Sequence, residues 1–164
     1  MGLLTALWRA TWRVRAAADA RRPEGHRFPD FTLRDTTGRP HALSSGGPTV
    51  LWFTNLCADC RSRAPLLGEM AAAGLRVLAV NILPPDDPSP LEYGRSAPFP
   101  VLLDPEDVVG RQLGLEHPPG TCPLHNLYIL DRERRVLFRH HLSAVDPQTL
   151  RRVWLDLLKN GEGA

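Results

Sequence analysis

Cys57 and Cys60 stand two residues apart in the run Asn55-Leu56-Cys57-Ala58-Asp59-Cys60. On a helix, that spacing lets the second sulfur reach back one turn to the first, closing a small disulfide ring or offering two soft ligands to a metal. The run follows a near-continuous apolar stretch, Thr49 to Thr54, of the kind that forms a strand covered on both faces. It opens a helical segment expected from about Ala58 to Ala73, which Gly74 would stop. Cys57 therefore falls at a helix N-terminus, where unpaired N–H groups and the helix dipole favour a thiolate. Cys57 is expected to be the more exposed and more acidic thiol, and so the attacking one, with Cys60 a turn further in to resolve. Asp59 opposes a thiolate while Arg61 and Arg63 favour it. All three also read as ordinary solvated helix surface.

The third cysteine, Cys122, lies in Thr121-Cys122-Pro123, with His125 close behind. Cys57, Cys60, Cys122 and His125 together would make a soft set for zinc, copper(I) or an iron–sulfur cluster. The bland readings are a small apolar cysteine and a structural histidine. His140 and His141 fall on an expected strand, facing opposite sides, and so do not read as a chelating pair. Three cysteines, two of them in one C-x-x-C, argue against a secreted disulfide framework.

The elements that must position these residues follow from the hydrophobic pattern. The 164 residues suit one globular domain, with 43% hydrophobic and 23% charged residues. A net charge of +2 gives no bulk electrostatic case for nucleic acid. Strands are expected at Phe31–Asp35 and His41–Leu43, joined by a turn at Thr37-Gly38, then at 49–54, 75–82, 101–103, 124–130 and 136–140. Helices are expected at about 58–73, 91–96, 105–113 and 147–159, the last capped by Asp146-Pro147. Strand–helix alternation followed by a hairpin and a closing helix implies an α/β fold, a central mixed sheet with helices on both faces.

Residues 1–28 form a separate expectation: an amphipathic helix with Leu3, Leu4, Leu7, Trp8 and Trp12 on one face, then a polar linker, ahead of a domain at 29–164. Arg9 interrupts the apolar run that a secretory signal needs, and the stretch is too short and too charged to span a bilayer. The helix would pack on the domain or a partner, or make peripheral contact with a membrane through residues 3–15. A cytoplasmic location is the expectation.

Several segments resemble the redoxin branch of the thioredoxin superfamily, both the TlpA-like thiol reductases and the alkyl hydroperoxide reductase/peroxiredoxin group. They are Pro29-Asp30-Phe31-Thr32-Leu33 with Gly38, Val50 to Arg61 around the C-x-x-C with Pro65 after it, Thr121-Cys122-Pro123, and Tyr128-Ile129-Leu130-Asp131. The resemblance implies a thioredoxin-like fold with an N-terminal β-hairpin. It implies an oxidoreductase, active on protein or small-molecule disulfides with a thiol electron donor and no cofactor. It places a cis-proline at Pro123, with Thr121, Cys122 and Pro123 forming the loop that faces the cysteines and binds substrate. Cys122 would then lie within a few ångströms of Cys57, as a third redox thiol, a metal ligand or an inert side chain. Pro65 matches the family's helix-kinking proline. Leu56 replaces the family's usual tryptophan, and the strand 50–54 lacks the buried acid that thioredoxins use as a proton acceptor. A peroxidase, with an antioxidant role, is the alternative. Thr54 matches that group's threonine three residues before the attacking cysteine, but Val50 stands where its proline belongs and His125 where its arginine belongs.

Overall fold

The computed structural model of the chain describes residues 25–113, 123 and 125–161. The expected N-terminal helix, its membrane contact through residues 3–15, Thr121, Cys122 and the Cys122–Pro123 bond lie outside the described residues. Seven strands form one mixed sheet: β1 Thr32–Asp35, β2 Pro40–Ala42, β3 Thr49–Thr54, β4 Arg76–Asn81, β5 Val101–Leu103, β6 Leu127–Leu130 and β7 Val136–His140. Their spatial order is β2-β1-β5-β4-β3-β6-β7. The central β3 runs parallel to β4 and antiparallel to β6, with Trp52 opposite Ala79 on one side and Leu127 on the other. Helices α1 Ala58–Ala72, α2 Ser89–Gly94, α3 Val108–Gln112 and α4 Pro147–Gly161 complete the framework.

All six residues of β3 are buried, and the period-two alternation of its side chains divides the core into two layers. Val50 and Trp52, with Val77, Ala79, Leu127 and Ile129, pack against Leu67 and Met70 of α1 and Leu150 and Trp154 of α4. Leu51 and Phe53, with Leu78, Val80, Tyr128 and Leu130, pack against Val109 of α3 and Phe28. Helices thus cover both faces, as the element order implies. Glu69 of α1 accepts two hydrogen bonds from Arg151 of α4, at 2.9 and 3.0 Å, clipping the two long helices together.

The element boundaries differ from the sequence expectations where local hydrogen bonding outweighs pattern. The helix expected at 105–113 starts only at Val108, because the buried Asp104 carboxylate accepts the amides of Val108 and Val109 at 2.9 Å. The short helix expected at 91–96 occupies Ser89–Gly94, with the Asp87 carboxylate accepting the Ser89 amide just ahead of it. Leu43 belongs to a short 3-10 turn, Leu43–Ser45, rather than to β2. His141 lies beyond β7 rather than on it, so the two histidines do not alternate across a strand; the His141 amide donates to His140 Nδ1 at 2.9 Å. The end of the expected linker is docked on the sheet. Gly25 and Phe28 donate backbone hydrogen bonds to Val136 and Arg134, and the Phe28 ring stacks on Phe53 and meets Tyr128 edge-on.

The β1–β2 hairpin turns around Asp35. Its carboxylate accepts the Thr37 amide, the Thr37 hydroxyl and the Arg39 amide at 2.6–3.0 Å, and meets His41 Nε2 at 2.8 Å. Burial raises its pKa, but the bonds from Thr37, His41 and Arg39 outweigh burial and hold it well below the usual carboxylate range. A depressed carboxyl adds stability above its unfolded pKa and loses it as pH falls toward the folded value. Asp35→Asn should therefore destabilise the protein by about 1–2 kcal/mol at neutral pH. Urea titrations from pH 7 down should show the gap from wild type closing below about pH 4. A gap that stays constant with pH would mean that the charge on Asp35 contributes nothing.

Candidate active site

Four residues carry the chain from the end of β3 into α1, and each has a local role. The Thr54 hydroxyl oxygen accepts the Leu56 amide at 2.8 Å, and the Asn55 side-chain Oδ1 accepts the Cys57 amide at 3.1 Å. These two side-chain turns satisfy amides that neither strand nor helix uses. Between them Leu56 takes a left-handed backbone, φ 57°, unusual for a residue with a bulky side chain. Its side chain is buried beside Cys60 and Ala64 in the α1 layer of the core, and that burial offsets the backbone strain. Asn81, at the end of β4, steadies the loop from below. Its amide donates to the Thr54 carbonyl at 3.2 Å, which the Ile82 amide also reaches at 3.2 Å.

Cys57 is the N-cap of α1: its φ/ψ of −58°/152° is non-helical, while its carbonyl accepts the Arg61 amide at 2.9 Å. It therefore stands at the positive end of the helix dipole, beside the first-turn N–H groups, while its side chain makes no capping hydrogen bond to them. Cys57 is half-buried, whereas Cys60, one turn in, has no exposed surface. The exposure order matches the sequence expectation. Pro65 lies within α1 on its exposed side. Asp59 and Arg61 are exposed and Arg63 half-buried, so the charges around the pair are largely solvated.

The strand facing the pair contributes what sequence reasoning missed. Asn126, fully buried just ahead of β6, donates from Nδ2 to Cys60 Sγ at 3.2 Å. Its Oδ1 accepts the Leu142 amide at 2.8 Å, its backbone N–H reaches the His140 carbonyl, and its carbonyl accepts the Phe53 amide. The only signal in the sequence was a polar residue at the mouth of the apolar run 127–130. Pro123 is buried and His125 half-buried on the same approach. His141 feels His140, His125 and Asp59. Burial holds it below the usual histidine range, both histidines push the same way, and Asp59 pulls it back. Burial pushes the Tyr93 phenol up, partly countered by Arg61. Tyr93 meets Trp52 edge-on at 6.1 Å.

Among the described residues no three His, Cys, Asp or Glu side chains group closely enough to hold a metal ion. The set of Cys57, Cys60, Cys122 and His125 depends on Cys122, outside the described residues, as does the expected closeness of Cys122 to Cys57. No helix among the described residues is long and apolar enough to cross a membrane.

A thiol delivered by a buried strand to a helix N-terminus, in a mixed sheet covered by helices on both faces, defines a thioredoxin-like oxidoreductase of the redoxin class. Residues 25–139 match the model of the AhpC/TSA family, and the chain belongs to that family. It is similar to the thiol-disulfide oxidoreductase ResA of Geobacillus thermodenitrificans, 24% identical over 144 residues that cover 75% of this chain and 78% of that protein. The peroxidoxin BcpB of Mycobacterium tuberculosis has a similar structure, with a TM-score of 0.64 and 25% identity over 84% of this chain and 96% of that one. MTB dsbF, solved in mixed oxidized and reduced forms, superposes with a TM-score of 0.60 and 25% identity over 77% of this chain and 94% of that one.

The strain at Leu56 is separable from its burial. Leu56→Ala keeps the left-handed backbone and loses the buried side chain, and should cost about 2–4 kcal/mol. Leu56→Gly loses the same side chain but tolerates a positive φ, and should be more stable than the alanine variant by about 1 kcal/mol. Chemical denaturation of the two proteins side by side tests this inversion of the usual Ala-over-Gly order. An alanine variant at least as stable as the glycine one would show that the loop relaxes out of the left-handed region.

Proposed function

We propose that the chain is a thiol–disulfide oxidoreductase in which Cys57 attacks a protein or small-molecule disulfide and Cys60 resolves the mixed disulfide. The single observation that carries this reading is the placement of a half-buried thiol at the N-cap of α1 with a buried thiol one turn inside the same helix. Cys57 as thiolate attacks one sulfur of the substrate; a Cys57–substrate bond forms, and the other substrate sulfur leaves as a thiolate. Cys60 then attacks Cys57 Sγ, forming the Cys57–Cys60 disulfide and releasing the second substrate thiolate. Two electrons pass from the dithiol to the substrate, and a thiol donor returns them. Thr121, Cys122 and Pro123 take the substrate backbone by β-augmentation in this reading. The name of the ResA relative and the two redox forms of dsbF support exchange chemistry.

Peroxide reduction is the second reading, favoured by the likeness to BcpB and by Thr54 three residues ahead of Cys57. In that chemistry the Cys57 thiolate attacks one peroxide oxygen, the O–O bond breaks and the other oxygen leaves as water or an alcohol; Cys60 then condenses with the Cys57 sulfenic acid, forming the disulfide and expelling water. The Thr54 oxygen already accepts the Leu56 amide, and no arginine occupies position 125 to hold the peroxide oxygens.

Single serine variants separate the roles. Cys60→Ser should accumulate a mixed disulfide with a small aromatic disulfide, visible by mass spectrometry, and Cys57→Ser should not. Alkylation of the reduced wild type near neutral pH should label Cys57 first. Labelling led by Cys60 would reverse the assignment. Rapid consumption of hydrogen peroxide that vanishes in Cys57→Ser, with no adduct in either variant, would transfer the function to the peroxidase reading.

A further inference from the structure

The amide of Asn126 is oriented by chemistry rather than by choice. The Leu142 backbone N–H can only donate, so the atom it meets at 2.8 Å must be the carbonyl oxygen Oδ1. That leaves the NH2 group facing Cys60 Sγ at 3.2 Å. The residue cannot turn away, because its own N–H and C=O are committed to His140 and Phe53 in the flanking strands. The sulfur is thus held by a fixed, dry donor that lacks the option of accepting a proton.

A neutral thiol is a weak acceptor, whereas a thiolate is a strong one. A buried N–H aimed at the sulfur therefore favours the ionised form, against the desolvation that opposes it at a site with no exposed surface. No carboxylate of β3 is available to take the Cys60 proton, since that strand reads Thr49-Val50-Leu51-Trp52-Phe53-Thr54.

We infer that Asn126 is the positioning residue of the resolving step, presenting Cys60 to the Cys57–substrate disulfide and stabilising the attacking thiolate through its Nδ2 donor. The inference rests on the exchange reading of the C-x-x-C and adds to it a group outside that motif. The step is the one written above: Cys60 loses its proton to water, the Cys60–Cys57 bond forms, the Cys57–substrate bond breaks, and the substrate thiolate leaves with the electron pair and takes a proton from water. Asn126 supplies no proton and accepts none.

Asn126→Asp isolates this role. It keeps an oxygen for the Leu142 amide at nearly unchanged volume and replaces the donor to Cys60 by a group that, ionised, repels a thiolate. The probe is dithiobis(nitrobenzoate), which releases one coloured thiolate when Cys57 attacks and a second when Cys60 resolves. In Asn126→Asp the first phase should run at the wild-type rate and the second should slow about ten-fold near neutral pH. The loss is limited because a less acidic thiol is intrinsically the stronger nucleophile and recovers part of the lost thiolate fraction. The pH at half-maximal rate of the second phase should move upward, an effect that a merely structural role would not produce. A second phase that is unchanged in rate and pH profile, or that runs faster because the new carboxylate takes the Cys60 proton, would overturn the role of Asn126. Absence of a first phase in the wild type would instead remove the exchange reading itself, and the role with it.

A measurement on the unsubstituted residue covers the case in which Asn126→Asp fails to fold. In Cys57→Ser, the Asn126 side-chain NH2 resonances should titrate with the same midpoint as the alkylation rate of Cys60. They should stop titrating in the Cys57→Ser, Cys60→Ala double variant. Resonances indifferent to ionisation of Cys60 would overturn the inference.

Discussion

The hydrogen bonds that turn the chain between β3 and α1 are the constraint on which the site depends. A fully buried strand must end, reverse its hydrogen-bonding pattern and begin a helix within a few residues, leaving no buried amide without an acceptor. The Thr54 and Asn55 side chains take the amides of Leu56 and Cys57, and Asn81 and Ile82 fix the last strand carbonyl from the neighbouring strand. With those donors and acceptors matched, Leu56 has one place to go, inward, and Cys57 one place to stand, at the head of the helix. Moving the helix start by one residue would put the first sulfur in the core or the second in solvent. The strain in Leu56 is tolerable because the same residue seals the core under the cysteines.

The second half of the site arrives from a long distance in sequence. Asn126 stands 66 residues beyond Cys60 and meets it only because β6 pairs antiparallel with β3. That pairing sets Trp52 opposite Leu127, so the residue ahead of β6 falls level with the end of β3, where the Phe53 amide reaches the Asn126 carbonyl. The sheet register is therefore also a register of the chemistry. The closing hairpin adds β7 and the turn at His141 and Leu142, whose amide locks the Asn126 side chain. The N-terminal residues 25–28 brace this hairpin from its open edge.

Much of this was legible because the strongest signals are local. The apolar run 49–54, the C-x-x-C and the helix after it announce themselves by periodicity and by two cysteines at fixed spacing. Family resemblance then carried the fold to the sheet and its closing helix. What stayed hidden was hydrogen bonding that pattern does not encode. Asp104 delays a helix that composition would start at Pro105, because its carboxylate reaches two amides several residues on. His141 looked like a strand residue because nothing in His140-His141 says where the chain bends. Asn126 looked like a loop residue because its four partners are scattered across Phe53, Cys60, His140 and Leu142, and only the folded register assembles them.

The missing acid in β3 then takes on a different meaning. Read along the sequence, its absence subtracts a function, since a buried carboxylate is one way to relieve a resolving thiol of its proton. In the fold, the resolving sulfur meets an amide that performs a different electrostatic task. An acid helps by accepting a proton and must itself be ionised first, so it couples the thiol to a second titration. An amide helps by donating to the anion at every pH, with no charge of its own to desolvate. It takes no proton from the thiol, and its donor holds the thiolate once that proton has gone. Burial of Cys60 without a carboxylate is consistent once the donor is counted: the sulfur is kept from solvent and oxidants, yet its reactive form has a partner waiting in the wall of the site.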